Sequence, residues 1–219
     1  MTKRSYGQFC GVARALDSVG ERWTLLLVRE VLSGPRRFKE LLDALPGIGP
    51  NLLSARLKGM TEEGVLKRVA LPGAGGVGYE LTEVGRELEP AVLALARWGA
   101  RRLRAAPEEA AGEVRPDWAI LLLRARFQPE RAEGVSEVYQ VEAGDSAYHL
   151  YVREGRLEVA PGKAPVAAVV LATDPGTLAE LAAGRRGLEA AASAGALEVR
   201  GSPFAAARFA RVFGLEGAG

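Results

Sequence analysis

Apolar positions in the first hundred residues recur at helical spacing. Trp23, Leu26, Leu27, Glu30 and Val31 follow the i, i+3, i+4, i+7, i+8 positions of one helix face. Only Glu30 breaks that stripe, and Ser33-Gly34-Pro35 closes it. A shorter stripe of Phe38, Leu41, Leu42 and Leu45 ends at Pro46-Gly47. Pro50 stands where the first turn of a third helix accepts it, because its missing N–H would find no partner there anyway. That helix is expected to run to about Glu63, with Gly64 as its stop. Two β-prone runs, Val65 to Leu71 and Val77 to Thr82, flank Pro72-Gly73-Ala74-Gly75-Gly76 and read as a hairpin. Thr82 can cap a last helix carrying Leu88, Val92, Leu95 and Trp98, which Pro90 kinks or restarts and whose stripe continues past Gly99 to Leu103. Helix, helix, turn, helix, hairpin, helix is the order of a winged helix-turn-helix unit.

The rhythm then changes. Pro, Gly and Ala punctuate Ala105 to Pro116 without an apolar period, which marks a linker between a domain at 1–106 and another at 117–219. Asp117 to Arg126 reads as a helix; Tyr139-Gln140-Val141, Tyr148 to Val152, Leu157-Glu158-Val159 and Val166 to Leu171 read as successive strands, most simply paired as an antiparallel meander. Asp174 caps a helix with Leu178 and Leu181, and small residues from Leu188 to Ala194 form another. Leu197-Glu198-Val199-Arg200 is a last strand, and Ser202 starts a helix with Phe204, Phe209, Val212 and Phe213. The fold class is α+β.

The length of 219 residues and 23.2 kDa suits two domains, and 48% apolar with 26% charged residues excludes a disordered chain. No stretch reaches the roughly 18 uncharged apolar residues of a membrane helix, and the first residues lack the apolar run of a secretory signal. A cytoplasmic protein is expected, with no membrane partner. One cysteine, Cys10, and one histidine, His149, exclude a disulfide framework and zinc sites built on several thiolates or imidazoles. With no paired carboxylates or nucleophile elbow, neither a metal, a cofactor nor an enzymatic activity is expected.

Net charge is +2, but it is unevenly spread: residues 1–104 hold 17 Lys+Arg against 11 Asp+Glu, and residues 105–219 hold 12 against 16. Phosphate would be attracted to the first half and repelled by the second. With Leu53 at zero on a wheel of about 100° per residue, Leu57 and Met60 fall within about 40° of it, and Asn51, Ser54, Ala55 and Lys58 lie opposite. Such a small, polar and cationic face suits a helix entering the major groove, although it is equally what a solvated helix presents. Arg36 and Arg37 before the second helix, Arg56 beside the free face, and Lys67 and Arg68 at the base of the hairpin are placed to meet phosphates.

Gly73-Ala74-Gly75-Gly76-Val77-Gly78 fits the G-x-G-x-x-G pattern, but the following Tyr79-Glu80-Leu81 continues as strand and no acidic residue lies about 20 positions on, so a flexible hairpin tip is the better account. Cys10 follows Lys3 and Arg4 near a helix start, a setting that can lower a thiol pKa and favour reversible oxidation; a small buried apolar role is the alternative. His149 is out of phase with Tyr148, Leu150 and Val152 and reads as structural or surface.

Cys10 to Leu16, Gly20-Glu21-Arg22-Trp23-Thr24-Leu25-Leu26, Leu32 to Leu41, Pro46 to Lys58 and Tyr79 to Arg86 together resemble successive blocks of the HxlR-type bacterial transcriptional regulators over about residues 8 to 99. That resemblance implies a homodimer held by the terminal helices of the domain and bound to double-stranded DNA at a roughly palindromic operator. Pro50 to Glu63 would be the recognition helix and Val65 to Thr82 the wing. Gly49 stands where the family usually has Ser or Thr, Gly11 where Pro is common, and the wing tip from Pro72 to Gly78 has no basic residue. Further along, Asp174 to Gly184, Ala194 to Pro203 and Phe204 to Phe213 resemble the C-terminal part of a sterol carrier protein-like domain, which implies an apolar tunnel for a small apolar ligand. Leu178, Leu181, Leu188, Phe204, Phe209 and Phe213 could line it, or could simply be core. A DNA-binding regulator modulated by such a ligand is the expectation; a lipid carrier whose first domain serves for dimerisation is the alternative.

Overall fold

The computed structural model describes residues 5–71, 75–105 and 112–217. Half of the linker expected at Ala105 to Pro116, namely 106–111, lies outside these residues, as do the centre of the wing tip at 72–74 and Lys3 and Arg4. Two compact units divide the chain, Met1–Val92 and Leu93–Gly219.

In the first unit, α1 (Gly11–Val19) and α2 (Thr24–Val31) precede a two-residue strand β1 (Arg36–Arg37), α3 (Phe38–Ala44) and α4 (Pro50–Glu62). The strands β2 (Leu66–Ala70) and β3 (Val77–Leu81) then form the hairpin, followed by α5 (Glu83–Arg86) and by α6 (Glu89–Ala105), which runs on into the second unit. Leu27, Val28, Leu41, Leu53, Leu57 and Leu81 are buried at 1% exposure or less. Burying each such leucine contributes roughly 1.5–3 kcal/mol, which is why the stripes dock as they do. Glu30, the polar break in the α2 stripe, is buried too, and its carboxylate lies 2.6 Å from the Arg29 guanidinium. Pro90 restarts the chain rather than kinking it: the Thr82 hydroxyl accepts from the Gly85 amide at 3.0 Å to cap the short α5, and Pro90 falls in the first turn of α6. Gly85 cannot be larger, since a Cβ there would stand 2.1 Å from the Val65 carbonyl oxygen.

The second unit opens with α7 (Pro116–Arg126), then β4 (Ser136–Ala143), β5 (Ser146–Arg153), β6 (Arg156–Pro161), β7 (Val169–Thr173), α8 (Pro175–Ala183), α9 (Leu188–Ser193), β8 (Leu197–Gly201) and α10 (Pro203–Val212). The fold class is α+β as read from the sequence, but the sheet is mixed. Its order is β6-β5-β4-β7-β8, and β4 pairs with β7 in parallel, Tyr139 opposite Val169 and Val141 opposite Leu171. An all-antiparallel meander is therefore corrected at this one pair. The physical reason is that β5 already occupies one edge of β4, so after β6 the chain crosses three strand spacings, about 14 Å, to reach the other. Residues 162–168 make that crossing on the face of Gln140, Glu142 and His149: the Ala164 amide donates to Gln140 Oε1 at 2.9 Å, and Lys163 Nζ lies 2.9 Å from Glu142 Oε1. His149 Nδ1 lies 3.2 Å from the Gly162 carbonyl oxygen, a structural contact as its phase suggested. Val166, expected to open β7, belongs to the crossing and is 79% exposed. On the opposite face Tyr139, Val141, Leu150, Val152 and Leu171 build a core with Phe209 and Phe213.

Candidate nucleic-acid interface

Helix α4 begins without a side-chain cap, because Gly49 at the N-cap has none to offer and Pro50 fills the first helical position. Its apolar side is fixed by Leu53, Leu57 and Met60, exposed by no more than 3%. Asn51, Ser54, Ala55 and Lys58 are all exposed on the other side. The geometry thus brings those four side chains together on one outward surface, with Lys58 Nζ 3.8 Å from Glu62 Oε1, a turn further on. At that distance and exposure the pair is worth at most a few tenths of a kcal/mol and leaves the ammonium available to another anion.

The remaining candidate cations are placed less uniformly. Arg36 and Arg37 are half-buried and, instead of simply preceding α3, form the edge strand β1, with Arg36 opposite Tyr79 and Arg37 opposite Gly78. Arg36 Nε donates to the Glu30 carbonyl at 3.2 Å, and the Arg37 amide donates to Glu40 Oε2 at 2.6 Å to start α3. Because β1 joins β3, an Arg37 guanidinium nitrogen comes within 3.8 Å of the position a Cβ would take on Gly76. A wing whose own tip carries no basic residue therefore has one beside it, and the sequence hides this because the pairing joins residues some forty positions apart. Lys67 lies opposite Glu80, with Nζ 3.3 Å from Oε2, and Arg86 reaches the same carboxylate at 3.1 Å. Arg68, opposite Tyr79, is exposed. Arg56 points back toward the body, its Nη2 2.7 Å from Glu21 Oε2.

Trp23 opens the α2 stripe in the sequence. It proves to be the residue before α2, held at φ 80 in the left-handed region, with its ring 3.8 Å from the place of a Cβ on Gly47 in the turn before α4. Such a conformation costs a bulky residue of order 1–3 kcal/mol and persists only where packing fixes it.

Cys10 is exposed and is the residue that precedes α1. The amide N–H of Ala13, and after it that of Val12, hold its thiol below the ordinary cysteine value. Alkylation by iodoacetamide should consequently reach half its maximal rate at a lower pH than that of a cysteine peptide, and Cys10→Ser should abolish it. A midpoint at or above that of a cysteine peptide would contradict the donation.

The residues proposed to line an apolar tunnel divide. Leu178, Leu181, Leu188 and Phe209 surround a void of about 10 Å³, the size of a single water at most, and Phe213 is fully buried beside it. Phe204 is 76% exposed and is corrected: five and nine residues before Phe209 and Phe213, it lies about 140° and 180° from them on the α10 wheel. Among the described residues no group of three or more His, Cys, Asp or Glu could hold a metal ion, and no helix is long and apolar enough to cross a membrane.

Residues 18–107 match the family model described as HxlR-like helix-turn-helix, and residues 121–214 match that of the SCP-2 sterol transfer family. The chain is 35% identical over 94 residues to an HTH-type transcriptional regulator of Synechocystis sp., sll1512, covering 42% of this chain and 70% of that protein. It is 37% identical over 86 residues to YvaP, an HTH-type transcriptional regulator of Bacillus subtilis, covering 39% of this chain and 80% of that one. With a Mycobacterium bovis regulator of the same type, Mb3122, it shares 46% identity over 40% of its own length, and spans only 56% of that relative. Among solved structures, the redox regulator HypR in its oxidized form is 34% identical over 41% of this chain and 94% of that one, with a TM-score of 0.39. A sec-alkylsulfatase of Pseudomonas sp., Pisa1, is 26% identical over 47% of this chain but 16% of that one, with a TM-score of 0.41.

Proposed function

The chain belongs to the HxlR-like helix-turn-helix family, and on that premise we propose that it is a sequence-specific DNA-binding transcriptional regulator acting as a homodimer. The observation that carries this reading is the outward surface of α4, where Asn51, Ser54, Ala55 and Lys58 stand exposed on a helix whose other side is packed. That helix would lie in the major groove, with Arg36, Arg37, Lys67 and Arg68 meeting the phosphates alongside and Arg37 serving the wing. The domain bounds that go with this reading are 1–106 for the DNA-binding and dimerisation domain and 117–219 for the second.

Dimerisation is supported by apolar side chains left in solvent. Tyr6, Phe9, Val12 and Leu16, on and before α1, and Leu95, Trp98 and Leu103 on α6 are all at least 40% exposed. Each of the two groups by itself, one on and before α1 and the other on α6, is apolar surface of the kind that a partner chain covers. Two copies would set their α4 helices about 34 Å apart, one in each of two successive major grooves. Cys10 is the proposed oxidant-sensitive group, on the strength of its exposure and its lowered pKa.

The site we propose for modulation by an apolar ligand is the small void bounded by Leu178, Leu181, Leu188 and Phe209. Pockets for such ligands measure hundreds of cubic ångströms, so binding must part α8 and α10 from the sheet rather than fill a standing tunnel. A lipid-carrier role gains no specific support from a core this closed.

The experiment is a gel shift with the DNA upstream of the protein's own gene. A specific complex below micromolar protein at moderate salt is expected, and its absence under those conditions would overturn the regulator reading.

A further inference from the structure

The turn ahead of α2 holds α4 at one point and the turn leading into α4 at another. Trp23 lays its ring against Gly47 in the turn that leads into α4, and two residues earlier Glu21 pairs with Arg56 in the body of that helix, at 2.7 Å. Arg56 lies against the protein while that pair stands. Its side chain is only 26% exposed, and its Nε is buried without a hydrogen-bond partner, so the guanidinium is laid along the protein instead of standing out with Lys58. Glu21 is 57% exposed, which leaves its carboxylate close to solvent on the flank of the same helix.

Resting on the reading of α4 as a DNA-binding helix, we propose that Glu21 is a positioning residue that withholds Arg56 from the DNA backbone. The pair has two consequences. It fixes the rotation of α4 about its own axis, because a charge halfway along the helix is tied to the same turn that Trp23 anchors at Gly47. It also removes one cation from the count that attracts any duplex regardless of sequence, so that a larger share of the remaining affinity depends on the bases opposite Asn51, Ser54 and Ala55. Phosphate contacts supply affinity without sequence information, and a regulator that limits them gains discrimination at the cost of general stickiness.

The readout is the salt dependence of binding to a random-sequence duplex of roughly two helical turns, about 21 base pairs, followed by fluorescence anisotropy between 50 and 200 mM salt. Each cation that meets a phosphate adds about 0.9 to the magnitude of the slope of log K against log salt. Relative to the unaltered chain, Glu21→Gln should steepen the slope by about 0.9 for each α4 on the duplex, about 1.8 for the dimer, and raise low-salt affinity, because Arg56 is released and a carboxylate is lost. The double variant Glu21→Gln with Arg56→Gln should return to the original slope, whereas Lys58→Ala should reduce it by about 1.8 for the dimer. A merely structural pair would change the melting temperature and leave these slopes alone.

An unchanged slope in Glu21→Gln, or a double variant about 1.8 shallower than the original for the dimer, would overturn the proposal, the second by showing that Arg56 already meets phosphate. Failure of the unaltered chain to bind the duplex even at 50 mM salt is a different result, which removes the regulator reading and this inference together.

Discussion

Replacing Ser54 by glutamate is expected to weaken DNA binding between tenfold and several hundredfold while leaving the fold untouched. Ser54 is exposed in the middle of α4, so the change should move stability by no more than about 0.5 kcal/mol. At a protein–DNA interface the new carboxylate meets phosphate of like charge and offers an acceptor to base edges that display acceptors of their own. It also stands one turn before Lys58, where it would pair with the ammonium and take a second cation out of the interface. Losing one good polar contact costs roughly 1–3 kcal/mol, and the added repulsion puts the sum toward the upper part of that range or beyond it. Affinity for the upstream DNA, measured beside a thermal melt, checks this. Full affinity in a normally folded variant would mean that α4 does not face the duplex.

Phe209→Ala is expected to cost about 3–5 kcal/mol, the range for losing a large aromatic side chain from a packed core. Phe209 is 1% exposed, meets the Tyr139 ring edge-on at 5.3 Å between centroids and lies 4.6 Å from Phe213. It also bounds the small void among Leu178, Leu181 and Leu188, so its removal joins the new space to the old one. The melting transition of the second unit should fall by roughly 10 °C or more. A small apolar probe such as benzene should recover part of that loss in proportion to its concentration, since ligands that bind only the folded state stabilise it. A variant melting within a degree of the original would show that this aromatic cluster is not the keystone of the core.

Much of the first unit can be read from local pattern. The α2 and α4 stripes, the proline at the start of α4 and the glycine at its end are all decided within one or two turns of chain, and the helix bounds come out close to expectation. The outward side of α4 is legible for the same reason, because one wheel fixes which residues pack once Leu53, Leu57 and Met60 do. What escapes is non-local. Nothing near Arg36 and Arg37 announces a strand, because β1 exists only through its pairing with β3, and the placing of Arg37 beside the wing follows from that pairing. The Glu21 to Arg56 contact spans 35 residues and is invisible to any periodicity. In the second unit each strand is apparent, but their order is not, since alternation reports which side of a strand is buried and says nothing about its neighbour. Phe204 is a different case. Its angle on the α10 wheel separates it from Phe209 and Phe213, and resemblance to a ligand-binding fold obscured what the spacing already stated.

The parallel pairing of β4 with β7 also bears on how the second unit is made. β4, β5 and β6 are joined by tight turns and can zip together as soon as they leave the ribosome, whereas Val169 to Thr173 must be synthesised and threaded across before the other side of β4 is satisfied. Until then the nascent chain carries a bare row of amides and carbonyls on what becomes an interior strand, the arrangement most prone to pairing with a neighbouring copy. A chain terminated and released shortly after β6 should therefore yield aggregates, while one released after α10 should not.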